Sequence, residues 1–176
     1  IPDGRYPKNI GEQLSIWVQN GGKLILMEDA INAFAGTKPY EIKAREFPKQ
    51  EQPNTRSYAE KGRDDFDDAI PGAIYKVDLD QTHPLTLGLD RYYTLVTAEK
   101  IYEPLVEGWN VGMLKQGAYV TGIAGKNVQK KIEIGLLYGV QPIGKGNVVY
   151  LGSNVLFRLF WESGKQMFTN AVFMVN

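Results

Sequence analysis

A chain of 176 residues in which 43% are hydrophobic can bury a substantial core, and a single domain spanning 1–176 is the expectation. Twenty basic and twenty acidic residues cancel to zero formal charge, so no global field draws in nucleic acid or an anionic membrane. With no cysteine, disulfides, thiolate metal sites and cysteine nucleophiles are excluded; no apolar run approaches the roughly 20 residues needed to span a bilayer, and the first residues lack the pattern of a signal peptide.

Ile1-Pro2-Asp3-Gly4 reads as the tail of a strand running into a loop, which predicts earlier strands upstream of Ile1. From Asn9 to Asn20, Ile10, Leu14, Trp17 and Val18 fall at the spacing of one buried helical face. Asn9 and Glu12 stand in capping-box positions, and Gly21 supplies the stop. Lys23 to Met27 is a short apolar run bounded by Gly21-Gly22 and by the acidic pair Glu28-Asp29, the signature of a buried strand in a parallel sheet. In such sheets ligands collect beyond the carboxyl ends of the strands, which directs attention to Glu28 and Asp29.

Residues 36–72 are different in kind. Pro39, Pro48, Pro53 and Pro71 among many charges predict a long surface excursion, with a helical turn or two around Tyr58 to Asp68 and packing through Tyr40, Phe47, Tyr58 and Phe66. Beyond it, Ala73 to Asp80, Tyr93 to Ala98, Asn110 to Leu114 and Tyr119 to Ile123 alternate with period two, which predicts antiparallel or mixed additions to the sheet. Lys131 to Val140 alternates again, placing Ile132, Ile134, Leu136 and Tyr138 on one face. Pro142, Gly144 and Gly146 then turn the chain into Asn147 to Gly152, and a hairpin follows. Ser163 is placed to cap a last helix with Met167, Phe168, Ala171, Val172 and Val175 as its apolar stripe.

Several motifs have a plainer reading than the chemistry they evoke. Gly139 to Gly146 matches a P-loop at seven positions, but Gly146 replaces the magnesium-binding Ser/Thr and a strand follows, so it reads as a hairpin turn. Asp64, Asp65, Asp67 and Asp68 lack the order of a calcium loop and read as a solvated face. His83 is the only histidine, which eliminates multi-histidine zinc centres, and Pro84 after it favours a turn-forming role. Trp109, Trp161, Tyr92 and Tyr93 read first as core and second as a sugar- or peptide-binding surface. Arg158, close to Phe160 and Trp161, is a candidate partner for Glu28 or Asp29, as a buried ion pair or an anion clamp.

Ile70-Pro71-Gly72-Ala73-Ile74-Tyr75 leading to Thr82-His83-Pro84-Leu85, then Gly108 to Gly112, then Gly146 to Tyr150 running to Phe157-Arg158-Leu159-Phe160-Trp161 and Asn170 to Phe173, together resemble the C-terminal region of bacterial secreted zinc carboxypeptidases. That region is similar in fold to class I glutamine amidotransferases, and the match covers most of the chain. The resemblance implies a flavodoxin-like three-layer sandwich with a mostly parallel sheet, some antiparallel or mixed strands added, and N-terminal strands lying before Ile1. It places Glu28-Asp29-Ala30 where amidotransferases carry their cysteine, and Ser153-Asn154-Val155 where they carry a histidine. Glu28, Asp29, Asn154 and Arg158 thus mark a vestigial cleft.

Without thiolate or imidazole the amidotransferase reaction has lost both halves of its chemistry. The expected role is a non-catalytic accessory domain that docks on an upstream peptidase domain or binds peptide or glycan substrate. No catalytic, cofactor or metal residue is expected in this chain, and zinc belongs to the upstream domain. A secreted or periplasmic location is implied by the family alone. Two alternatives stay open: a hydrolase using Glu28 and Asp29 as acid and base, and a glycan- or small-molecule-binding module.

Overall fold

The computed structural model describes residues 1–2, 4–7, 9–47, 57 and 66–175. In chain order the elements are α1 (Ile10–Gln19), β1 (Lys23–Met27), a 3-10 turn (Glu28–Ala33), β2 (Gly72–Leu79), a 3-10 turn (Pro84–Thr86), β3 (Tyr92–Val96), β4 (Trp109–Leu114), β5 (Tyr119–Ile123), α2 (Lys126–Lys131), β6 (Gly135–Ile143), β7 (Gly146–Leu151), a 3-10 turn (Phe157–Leu159) and α3 (Glu162–Phe173). The seven strands form one curled half-barrel sheet in the order β1-β7-β6-β4-β2-β3. Strand β2 takes β3 along one edge; its other edge is shared by β5, opposite Gly72 to Tyr75, and β4, opposite Asp78 and Leu79.

The mostly parallel, flavodoxin-like sandwich is therefore incorrect for this chain. Only β1 and β7 pair in parallel among the described strands; every other neighbour is antiparallel. Parallel neighbours need a crossover of a dozen or more residues, usually a helix. Here β4 passes to β5 and β6 to β7 through turns, and α2 is six residues long. Strand β1 also ends the sheet order instead of lying at its centre. On its outer edge the Ile1 ammonium donates to the Ile25 carbonyl at 2.6 Å and Met27 N–H donates to the Ile1 carbonyl at 3.1 Å, a parallel bridge.

Period-two patterning is realised most clearly in β2, where Ala73, Tyr75 and Val77 are buried and Lys76 and Asp78 are exposed. The β6–β7 hairpin forms, closed by Gly144 and Lys145 between the paired residues Ile143 and Gly146. Gly144 adopts φ 63°, which glycine accepts without the steric cost a Cβ brings. The alternation from Lys131 overreached: Lys126–Lys131 is helical, β6 starts only at Gly135, and Ile134 is exposed. Asn9 precedes α1 but its side chain caps nothing, and Ser163 lies inside α3, one residue after its start.

Two apolar layers sandwich the sheet. One holds Val18, Leu24, Leu26, Phe34, Tyr40, Ile42 and Tyr150, under α1 and the first part of the 36–72 excursion. The other holds Met27, Tyr75, Leu85, Val149, Leu151, Met167 and Ala171, under α3. Each fully buried aliphatic or aromatic side chain contributes about 1.5–3 kcal/mol. Of the excursion, Tyr40 is buried and Phe47 partly so, Phe66 is exposed, and the helical turns expected around Tyr58 fall largely outside the described residues.

Helix α3 is anchored by one polar contact inside its apolar stripe. Asn170 is buried, and its Nδ2 donates to the carbonyls of Leu85 and Leu87 at 3.0 and 2.8 Å, pinning the Pro84–Thr86 turn to the helix. Asn170→Ala leaves both acceptors without this donor, and is expected to lower stability by about 1–3 kcal/mol, read as a reduced urea midpoint with an unchanged slope.

Candidate functional site

At the carboxyl ends of β1 and β7 the chain opens a crevice of about 160 Å³. Glu28 and Asp29 form one wall, Gly152, Ser153 and Asn154 another, and Leu95 to Ala98 with Lys100 a third. The curl of the sheet makes this possible, because β3, last in the sheet order, returns over the end of β7. The Thr94 hydroxyl of β3 lies 2.7 Å from the Ser153 hydroxyl, and Trp161 Nε1 donates to the Tyr93 carbonyl at 2.7 Å.

Glu28 and Asp29 share the crevice because β1 stops at Met27. Along a strand they would face opposite sides. A 3-10 turn begins instead at Glu28, whose φ of 48° lies in the left-handed region, where a side-chain-bearing residue costs roughly 1–2 kcal/mol. Such strain persists where the surroundings over-determine it, and it concentrates at functional sites. Asp29 forms an ion pair with Lys100, both side chains being nearly half exposed. A pair that exposed contributes at most about 1 kcal/mol, so its effect is to set the local charge and not to hold the fold.

Asn154 Oδ1 accepts from the Leu156 backbone N–H at 3.1 Å and shapes the turn after β7. That turn is pressed against α3: a Cβ on Gly164 would stand 1.8 Å from the Val155 carbonyl oxygen, so only glycine lets the helix approach so closely. Arg158 does not line the crevice. It is exposed, with its guanidinium carbon 5.2 Å from the centroid of the Phe157 ring, and the cation beside Asp29 is Lys100.

Behind the crevice lies a cluster of hydroxyls, of which Ser153 reaches the lining. Ser153 is buried; its Oγ lies 2.5 Å from the Tyr138 hydroxyl, which itself donates to Thr94 Oγ1 at 3.1 Å. Burial drives the Tyr138 phenol above its ordinary pKa, although its bonds to Ser153 and Thr94 oppose that shift, so it stays protonated at neutral pH. Tyr102, packed beneath Gly152, is raised by burial and then by the Asp29 charge.

Sequence reasoning reached Glu28 and Asp29 from a strand end, and Asn154 from the family resemblance. It missed Lys100, Ser153 as part of a cluster, and Thr94. Period-two alternation places Thr94 and Tyr138 on particular strand faces, but nothing in the sequence says that those strands meet.

His83 lies away from the crevice, in a different cavity, and performs the structural role its sequence context predicted: Nδ1 accepts from the Leu85 N–H at 3.1 Å and caps the Pro84–Thr86 turn. Asp64 and Asp65 fall outside the described residues; the Asp68 carboxylate accepts from Asn127 Nδ2 at 3.1 Å and stands 3.6 Å from Lys131 Nζ. Tyr92 is core, whereas Tyr93 and Trp109 are substantially exposed. Among the described residues no group of three or more histidine, cysteine or carboxylate side chains is placed to hold a metal, and no helix is long and apolar enough to cross a membrane.

The strain at Glu28 is separable from its carboxylate. Glu28→Ala and Glu28→Gly both delete the acid, but only glycine relieves the left-handed backbone, so the Gly variant is expected to be about 1 kcal/mol more stable than the Ala variant in chemical denaturation. Equal stabilities would show that Glu28 is not strained in solution.

Comparison with protein-family models, with curated proteins and with solved structures finds no match to this chain.

Proposed function

We propose that this chain is a non-catalytic binding domain, accessory to a zinc carboxypeptidase, whose crevice at the ends of β1 and β7 receives a small polar group of a peptide or of the peptidase domain itself. One observation carries the non-catalytic part. The Ser153 hydroxyl on the crevice floor is held between two other hydroxyls, Thr94 and Tyr138, and no imidazole adjoins it to take its proton. Asp29 is engaged by Lys100, and Asn154 by its own turn.

Recognition remains available to these groups. Glu28, Asp29 and Lys100 bring two carboxylates and one ammonium to the same small space, a balance that favours a ligand presenting N–H donors or a positive charge. The peptidase parentage comes from the sequence strings, and the half-barrel sheet lends the amidotransferase part of that resemblance no support.

The test uses a chain that carries both a zinc-peptidase domain and this one. Removing residues 1–176 is expected to leave kcat on a short peptide unchanged and to raise KM on a long protein substrate severalfold, the mark of lost uniform binding. A collapse of kcat on the short peptide would sink the proposal, as would zinc-dependent release of C-terminal residues by residues 1–176 alone.

A second reading, general acid and base chemistry by the carboxylates, draws on one observation: the 3-10 turn brings Glu28 and Asp29 to the same crevice, with Glu28 on strained backbone. On that reading Glu28→Gln lowers turnover of the responsive substrate by roughly 100-fold or more, whereas the binding-domain reading leaves every turnover unchanged.

A further inference from the structure

A second cavity, of about 270 Å³, shares no lining residue with the crevice. It is lined by Asp80, His83, Pro84, Trp109, Val140 and Val175 among others. Three features bear on what it could hold.

The first is a turn whose bonds fix the position of the Asp80 carboxylate. Asp80 N–H donates to the Val111 carbonyl at 2.8 Å, the Asp80 carbonyl accepts from Thr86 Oγ1 at 2.7 Å, and Asp80 Oδ1 accepts from both Thr82 N–H at 2.9 Å and Thr82 Oγ1 at 2.6 Å. The bonds from Thr82 hold the Asp80 carboxyl below its usual pKa, so it is charged at neutral pH. Its second oxygen has no partner among the described residues.

The second is the tautomer of His83. Because Nδ1 accepts from Leu85 N–H, the neutral ring carries its proton on Nε2, and no described residue accepts that proton. Burial keeps the ring neutral by lowering its pKa.

The third is Trp109, which is 48% exposed and lies 5.6 Å, centroid to centroid, from the His83 ring at a tilt of 50°. An indole left half in water beside a cavity offers an apolar platform, and its Nε1–H also lacks a partner among the described residues.

We propose that this cavity binds one neutral pyranose residue, its C–H face against Trp109 and its hydroxyls between the Asp80 carboxylate and the His83 Nε2–H. A sugar ring presents an apolar face and, at its rim, hydroxyls that donate and accept at once, which is the combination supplied here. A cation would use Trp109 and Asp80 as well, but an N–H donor such as His83 Nε2–H offers it nothing. The volume lies just under the roughly 300–1,000 Å³ of pockets that enclose drug-sized ligands, which suits one ring. This site is independent of the reading given to the crevice.

The test is amide and indole NMR on the isotope-labelled 176-residue chain, titrated separately with the methyl pyranosides of glucose, galactose, mannose and N-acetylglucosamine, and with tetramethylammonium chloride. At least one pyranoside is expected to shift the Trp109 indole N–H and the amides of the Asp80 turn with a Kd in the roughly millimolar range. Trp109→Ala and Asp80→Asn, each with an unchanged melting transition, are expected to weaken that binding about tenfold or more. Asp80→Asn keeps the oxygen that accepts from Thr82, and so stands as the test should Trp109→Ala unfold. Shifts by tetramethylammonium alone, no shift of the Trp109 indole by any sugar, or undiminished binding in Asp80→Asn would each overturn the proposal. Because Ser153 and Asn154 report on the crevice separately, the outcome here leaves the accessory-domain reading to its own experiment.

Discussion

Three buried hydroxyls tie the edge strand β3 to β6 and to the end of β7. Thr94 on β3, Tyr138 on β6 and Ser153 just past β7 meet in a buried triangle, each within hydrogen-bond distance of the other two. A buried hydroxyl without a partner costs about twice what a made bond contributes, so the cluster favours the arrangement in which β3 meets the end of β7. The sheet curls, and the curl turns an edge strand into a wall. Tyr92, edge-on to Tyr138 at 5.5 Å, and the Trp161 bond to Tyr93 fasten the same closure from either side.

The crevice is a consequence of that closure. Ser153, one corner of the hydroxyl triangle, reaches its lining; the two strand ends form its rim, and the segment that leaves β3 for Lys100 its third wall. Helix α3 fixes the rim from behind: Gly164 admits the Val155 carbonyl, and Asn170 ties the helix to the Pro84–Thr86 turn. That turn in turn places Asp80 and His83 beside Trp109. Two polar hollows with different chemistry are thus held by one helix and one curled sheet. The first is rich in carboxylate, and the second joins an aromatic face to a carboxylate and an N–H donor.

Local patterning made much of the secondary structure legible. The i, i+4, i+7 stripe located α1, period two located β2 to β5 to within a residue or two, and Pro142, Gly144 and Gly146 between apolar runs declared the hairpin, although Pro142 and Gly146 belong to its paired strands and the turn itself is Gly144-Lys145. These signals survive because they depend on neighbours a few residues away. The capping assignments at Asn9 and Ser163 fared worse, since a cap is a matter of one side-chain torsion that packing can override. The parallel sandwich failed for a related reason. A single α1–β1 unit, with its apolar run and acidic strand end, was extended to a whole architecture, whereas strand direction is set by the length of each connection and by which strands finally meet.

By itself, then, the sequence determined most of the strands and the first and last helices, though not α2, that the strand ends after Met27 and Leu151 carry acid and amide, and that neither thiol nor a second imidazole exists to make them reactive. Only the tertiary structure decided that β3 comes back over β7, that Asp29 pairs with Lys100 while Arg158 lies over Phe157, and that His83 and Trp109 stand together across 26 residues of chain. The physical reason is separation. Thr94 and Ser153 are 59 residues apart and Asp29 and Lys100 are 71 apart. Over such distances the chain carries no periodic signal, and the pairing depends on which polar groups, buried or exposed, come together once the apolar faces have closed.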